Sequence, residues 1–219
     1  MCRSIESAIL GFTNCLINLI IILKFADKSK IKYFIPFIIN LMMVQLGNIL
    51  LWLQFDGKKD LKKNKINRLS TDFILLVLML QPLAISYMTN SFIDNNNVKL
   101  IVYLISAVFF IKGIQRNKIF MSKNYTVLEK GKCLKWTDST KAGQYLFYLF
   151  DILPFLVSLY FINNNNDKTF IGTMVTTLSI VYFIVSKFGL WWGSEWCAYG
   201  TAITGYITYY VISNCQKNY

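Results

Sequence analysis

Asp151 is the residue of this sequence whose type and surroundings most strongly suggest chemistry. It lies in an apolar stretch, and a carboxylate buried among apolar residues needs a partner or a function. Gln144, Asp151 and Ser158 are seven residues apart, so they share one face of a helix. Pro154 has no N–H and frees the carbonyl of Phe150 beside the carboxylate. The set predicts either a proton- or cation-binding carboxylate or an interhelical hydrogen bond to an amide.

Glu195 is the second candidate carboxylate, and three tryptophans surround it: Trp191, Trp192 and Trp196. One interpretation makes Glu195 a second buried carboxylate that faces Asp151. The other places it at the edge of an apolar layer, the level at which Trp side chains are enriched in membrane proteins. Both interpretations stay open at this point.

Amide side chains also interrupt the apolar stretches. Gln45 lies within one of them, and Gln81 precedes Pro82 in another. In lipid, such groups join helices by hydrogen bonds, each worth about 0.6 kcal/mol on average. A pathway for a polar solute would use the same residue types. The further amides of this kind are Asn14, Asn18, Asn40 and Asn48.

Several classes of chemistry are excluded by composition. The chain has no histidine, so it has no Ser-His-Asp or Cys-His nucleophile and no His-dependent zinc site. Its five cysteines have no repeated spacing, which argues against a disulfide framework. The glycine patterns of nucleotide-binding loops are absent from the sequence. We therefore expect a protein that is not an enzyme and that carries no cofactor or metal.

The elements that must position these residues are predicted to be membrane helices. Of the 219 residues, 55% are hydrophobic and only 16% are charged, which is far from the balance of a soluble domain. A helix needs about 20 mostly apolar residues to cross the hydrocarbon core. The sequence predicts an all-α fold, a single polytopic domain over 1–219 with about seven transmembrane helices. The predicted helices are Ser7–Phe25, Tyr33–Phe55, Phe73–Phe92, Val98–Ile114, Tyr145–Ile162, Phe170–Phe188 and Leu190–Ile212.

The net charge of +12 comes from lysines and arginines that lie between the apolar runs. Most of them fall in the basic loops 56–72 and 115–144, and the positive-inside rule then places the N-terminus in the cytoplasm and the C-terminus on the opposite side. The predicted partners are the bilayer and its anionic headgroups rather than nucleic acid, because no nucleic-acid-binding module accompanies the charge. The predicted headgroup contacts are Lys58, Lys59, Lys62, Lys63 and Lys65.

The loop 115–144 is the longest predicted connection. The residues on either side of Lys130-Gly131 are compatible with a small β-hairpin or with a loop of no fixed structure. The sequon at Asn124 lies on the predicted inner side, where it should carry no glycan.

Several short motifs resemble those of a family of uncharacterised seven-helix proteins of large DNA viruses, of the mimivirus and phycodnavirus kind, and of some protists. That family tends to begin Met-Cys-Trp-Ser, and this chain begins with Met1, Cys2, Arg3 and Ser4. The resemblance implies a seven-helix fold in a host-cell or virion membrane, but no activity, ligand or catalytic residue. The other motifs that carry it are Gln45 with Trp52, Gln81 with Pro82, and the segment from Gly193 to Cys197.

Three functions are compatible with these observations. The first is a non-enzymatic protein that organises a membrane, or scaffolds partners, through basic cytosolic loops. The second is a small-solute or proton transporter that uses Asp151. The third, a membrane enzyme, would have to work with Asp151, Glu195 or a cysteine alone.

Overall fold

The computed structural model describes residues 4–55, 64–119, 124–129, 133–136, 141–187 and 192–214. The fold of this part is all-α, with one small hairpin formed by the antiparallel strands β1 (Thr126–Glu129) and β2 (Cys133–Trp136). A 3₁₀ turn, Asn90–Phe92, follows the third helix. The helices are α1 (Ile5–Phe25), α2 (Lys28–Trp52), α3 (Lys65–Thr89), α4 (Asn96–Asn117), α5 (Lys141–Phe161), α6 (Asn165–Lys187) and α7 (Trp192–Asn214).

Four helices of the described chain are long and apolar enough to cross a membrane. These spans are Ile5–Phe25, Ile31–Trp52, Lys65–Phe92 and Asn96–Asn117. The apolar stretch described in α5, Ile152–Phe161, is shorter. Length and composition therefore indicate an integral membrane protein.

Side-chain caps explain where the first four helices begin. Asn64 accepts hydrogen bonds from the backbone N–H groups of Ile66 (2.9 Å) and Asn67 (3.3 Å), and Asn95 accepts one from Asn97 (2.9 Å). Ser4 and Asp27 cap α1 and α2 in the same way. Such a side chain supplies a partner for an N–H that the helix itself leaves unpaired. Because Asn64 caps α3, this helix begins at Lys65 rather than at the predicted Phe73, and 65–72 is helical rather than loop.

The centre of the bundle is the pair α2–α3. Helix α2 packs against α1, α3 and α7, and α3 packs against α2, α4 and α5. Gly47 on α2 allows a close approach, because a Cβ at this position would overlap with Ile74 of α3. Gly113 on α4 likewise accommodates Met79 of α3.

The outer faces of the surrounding helices are apolar. Leu10 on α1, Leu104 on α4 and Phe183 on α6 are 70%, 56% and 62% exposed. A water-soluble protein rarely exposes large apolar side chains on helix after helix. This exterior is suited to contact with lipid.

One end of the bundle is closed by aromatic side chains. Phe170 of α6 stacks on Tyr210 of α7 with ring centroids 4.0 Å apart, and its ring lies 6.2 Å from that of Phe34 of α2. Phe92, after α3, lies 6.0 Å from the Phe170 ring. The cluster therefore brings together the beginnings of α2 and α6 and the end of α7. At the other end of α3, the hairpin packs against α3 and α7.

Candidate functional site

Gln81 occupies the middle of α3 and is fully buried. Neither of its side-chain polar atoms has a hydrogen-bond partner among the described residues. Pro82, the next residue, has no N–H, so the carbonyl of Leu78 also lacks its usual helical donor. A buried polar group without a partner costs about 1–3 kcal/mol. The centre of α3 thus has unused hydrogen-bonding capacity in an apolar surrounding.

Asn40 faces α3 from the middle of α2. Its Nδ2 donates a hydrogen bond of 2.7 Å to the carbonyl oxygen of Val77. Its Oδ1 is buried and accepts no hydrogen bond within the described part of the chain. Asn40 therefore joins α2 to α3 through one atom and leaves an acceptor available at the other.

Gln45 fills a notch between three helices. A Cβ at Gly11 of α1 would lie 3.0 Å from Gln45 Cδ, and one at Gly200 of α7 would lie 3.5 Å from Gln45 Nε2. The two glycines leave room for the amide, which is fully buried. This geometry suits the packing role that such amides have between membrane helices.

Polar side chains also link α1 to α7. Asn14 Nδ2 donates hydrogen bonds to Thr204 Oγ1 (3.0 Å) and to the carbonyl of Thr201 (3.2 Å). Asn18 Nδ2 donates to the carbonyl of Asn14 at 2.8 Å. Asn14 therefore joins two helices, as the sequence allowed, whereas the bond of Asn18 lies within α1.

The predicted Asp151 site lies on α5. The side chains of Gln144 and Asp151 fall outside the described residues. Ser158 is buried, and its hydroxyl donates to the carbonyl of Pro154 at 2.7 Å, a bond within its own helix. Since α5 packs against α3, the helix with Asp151 adjoins the helix with Gln81.

Glu195 lies near the beginning of α7, and its side chain is also outside the described residues. Helix α7 packs mainly against α1, α2 and α6, whereas α5 packs against α3, α4 and α6. The helices that carry Glu195 and Asp151 thus have different principal neighbours, and the pairing of the two carboxylates stays a prediction.

Of the five predicted headgroup contacts, only Lys65 is described. It is the first residue of α3, and its side chain is exposed. Arg116 and Lys118 lie at the end of α4, where Lys118 adopts a left-handed conformation with φ 48°. The other four predicted contacts, Lys58, Lys59, Lys62 and Lys63, fall outside the described residues.

A buried polar network that the sequence did not predict fastens the hairpin to α3. Asn67 Nδ2 donates to the carbonyl of Thr126 (3.2 Å), and the N–H of Thr126 donates to Asn67 Oδ1 (2.8 Å). The hydroxyls of Thr71 and Thr126 are hydrogen-bonded at 2.8 Å. One feature of the sequence could have indicated part of this network. Asn64 is a residue type that caps helices, and a helix that begins after it includes Asn67 and Thr71.

Asn124 completes this network. Its Nδ2 donates to Asp72 Oδ1 at 2.7 Å and to the carbonyl of Asn117 at 2.8 Å. Both hydrogens of the amide are therefore used, and Asn124 is only 2% exposed. A glycan on this nitrogen is incompatible with the folded network.

The described residues form no group of three His, Cys, Asp or Glu side chains that could hold a metal ion. The arrangement of the described polar groups is that of a helical membrane bundle with buried amides at its centre. The chain matches no known protein-family model, and the search of curated proteins found no similar sequence.

Proposed function

We propose that this chain is a seven-span, non-enzymatic membrane protein that organises a membrane, or scaffolds partners on it, through basic cytosolic loops. The N-terminus lies in the cytoplasm and the C-terminus on the opposite side. The observation that carries the proposal is the apolar exterior of the bundle, exemplified by Leu10, Leu104 and Phe183. Hydrocarbon is the surrounding in which such a surface is stable.

Two features support seven crossings. Helices α5, α6 and α7 have 21, 23 and 23 residues, and at about 1.5 Å per residue each can traverse a hydrocarbon core of about 30 Å. The aromatic cluster brings Tyr210, near the end of α7, to the end of the bundle where α1 finishes and α2 begins. This favours termini on opposite sides.

The basic residues at the hairpin end support the contact with headgroups. Asn124 bonds to Asp72 of α3 and to Asn117 of α4, so the beginning of α3 and the end of α4 are neighbours. Lys65 and Arg116 therefore lie at the same end of the bundle. Each Lys or Arg near an anionic membrane surface contributes about 1 kcal/mol of attraction.

The test measures the enrichment of anionic lipid around the full-length protein in nanodiscs of mixed zwitterionic and anionic lipid. Energy transfer from tryptophan to a labelled anionic lipid is compared with transfer to a labelled zwitterionic lipid. Replacing Lys58, Lys59, Lys62, Lys63 and Lys65 with Gln should weaken the preference, because the attraction depends on charge. The five Lys→Arg changes should retain it. An unchanged preference in the Gln variant would contradict the role of this loop.

A second candidate function is the transport of a small solute or a proton through Asp151. It is favoured by one observation, the fully buried Gln81 without a partner in the described chain, on a helix that packs against α5. In proteoliposomes, Asp151→Asn should reduce the flux at least tenfold, whereas Thr176→Ala, which removes only an exposed hydrogen bond within α6, should not. Wild-type flux no greater than that of empty vesicles would count against transport.

Membership of the viral and protist seven-helix family is part of the same proposal. Its support is the number of helices in the described chain and the position of two motif residues, Gln45 and Gln81, in the buried centre of the bundle. Placement of the protein in a virion or host-cell membrane rests on this resemblance alone.

A further inference from the structure

A groove of about 500 Å³ lies between α2 and α3 on the outside of the bundle. Its walls include Pro36 and Met43 of α2, and Ala84 of α3. Two further wall residues, Ile39 and Leu80, are 36% and 37% exposed, so the groove opens to the exterior. The compact side chains of Pro36 and Ala84 leave the space that longer side chains would fill.

The groove is apolar and contains no charged side chain among its described lining residues. Tyr87 of α3 and Tyr103 of α4 line its end nearest the beginning of α2. The ring of Tyr87 packs against that of Tyr33, with centroids 5.3 Å apart, which fixes its position. An occupant with a net charge would find no counter-charge here and would lose its hydration.

Among the described residues of this lining, Asn40 is the one amide. It is 7% exposed, and its Nδ2 donates to the carbonyl of Val77. Its Oδ1 has no hydrogen-bond partner in the part of the chain that the structure describes. Asn40 is also the midpoint of α2, so water from either membrane surface is remote. An occupant with a hydrogen-bond donor can satisfy this atom after a small shift of the side chain, whereas an alkyl chain cannot.

We propose that the groove binds a neutral lipid alcohol, an uncharged hydrocarbon whose single hydroxyl donates to Asn40 Oδ1. Its hydrocarbon part lies along Leu80 and Ala84 and leaves through the open side into the bilayer. The proposal depends on the proposed function only in that the bundle is embedded in a membrane. It assigns the groove no part in catalysis or in the contact of the basic loops with headgroups.

The experiment uses the full-length protein in nanodiscs and a photoreactive analogue of farnesol as the probe. Unlabelled farnesol and farnesyl methyl ether then compete with the photolabelling. They have the same hydrocarbon body, but only the alcohol has a donor. We expect farnesol to compete about tenfold better than the ether, the difference that one buried hydrogen bond makes.

Two variants assign the effect to the groove. Asn40→Leu should make the two competitors equal, and the matched amide variant Asn14→Leu, on the α1–α7 contact, should keep the tenfold preference. Ala84→Phe fills the groove and should reduce the photolabelling that farnesol and its ether compete with. Thermal unfolding of each variant confirms that it is folded.

Equal competition by alcohol and ether in the wild-type protein would overturn the proposal, since the groove would then accept hydrocarbon alone. Labelling that Ala84→Phe leaves unchanged would also overturn it, because the probe would be bound elsewhere. Neither result depends on the anionic-lipid preference of the basic loops. Failure of this inference is therefore distinguishable from failure of the proposed function.

Discussion

The hairpin end of α3 and the middle of the same helix hold buried polar groups in opposite ways. At the hairpin end, Asn67, Thr71 and Asp72 each take part in hydrogen bonds that cross to Thr126 or Asn124. In the middle, Gln81 has no partner among the described residues, and Pro82 removes a backbone donor. The same helix thus carries a connected polar network at one end and an amide with unused hydrogen-bonding capacity in its middle.

This contrast separates structural polar groups from candidate binding groups. A connected network gives rigidity and leaves nothing for a ligand, because its donors and acceptors are already used. An unpaired buried amide destabilises the fold and persists only when other contacts offset it. Among the buried polar groups, the candidate binding groups therefore lie at the middle of α2 and α3, and those at the hairpin end are structural.

The largest expected effect is the loss of the network at Asn124. Asn124→Leu removes the hydrogen bonds to Asp72 and to the carbonyl of Asn117, and it buries the carboxylate with one donor fewer. The free energy of unfolding in detergent micelles, measured by denaturant titration, should fall by roughly 2–4 kcal/mol. The exposed loop variant Asn163→Ala should change it by less than about 0.5 kcal/mol. If Asn124→Leu changed the free energy of unfolding as little as Asn163→Ala, the network at the hairpin end would not stabilise the fold.

A smaller effect of opposite sign is expected at Gln81. Replacing an unpaired buried amide with an apolar side chain removes its desolvation cost, so Gln81→Leu should leave stability unchanged or raise it by up to about 1 kcal/mol. Gln81→Glu, equal in size but ionisable, should be less stable than either. The same titration measures all three proteins. If Gln81→Leu loses more than about 1 kcal/mol, the amide has a partner outside the described residues, and the two regions are alike.

The smallest expected effect is the coupling between two hydroxyls of the network. A double-mutant cycle of Thr71→Val and Thr126→Val should give an interaction free energy of about 0.6 kcal/mol, the average for side-chain hydrogen bonds between membrane helices. Thr173 on α6 is exposed, and Thr173→Val combined with Thr126→Val should be additive. Additivity in the Thr71 cycle would mean that the hairpin is held by its backbone contacts alone.

The positions of the helices could be predicted because each apolar run is long and most of the runs lie between polar or charged segments. The seven predicted runs each fall on one observed helix, and the end of the first, Phe25, was predicted correctly. The predicted beginning of α3, Phe73, was wrong, because the helix begins eight residues earlier, at Lys65. There the helix starts at a cap, Asn64, in a polar stretch that hydrophobicity does not detect.

The contacts of the candidate sites could be predicted much less well. Asn67 and Thr126 are 59 residues apart, and neither has a local signal for the other. The burial of Gln45 depends on two glycines, Gly11 and Gly200, on different helices. Such three-helix contacts follow from packing, which a single sequence does not specify. The sequence could name Gln81 as a polar residue of the bundle, but only the structure shows that it has no partner among the described residues.

The three prolines of the chain, Pro36, Pro82 and Pro154, all lie inside helices. Each removes one main-chain hydrogen bond, so each helix bends more easily at that level than elsewhere. Pro36 of α2 lines the groove directly, and Ala84, which also lines it, follows Pro82 of α3 by two residues. Both central helices therefore lack a main-chain hydrogen bond close to the groove. We expect a molecule bound against Pro36 to restrict the bending of α2 at this level.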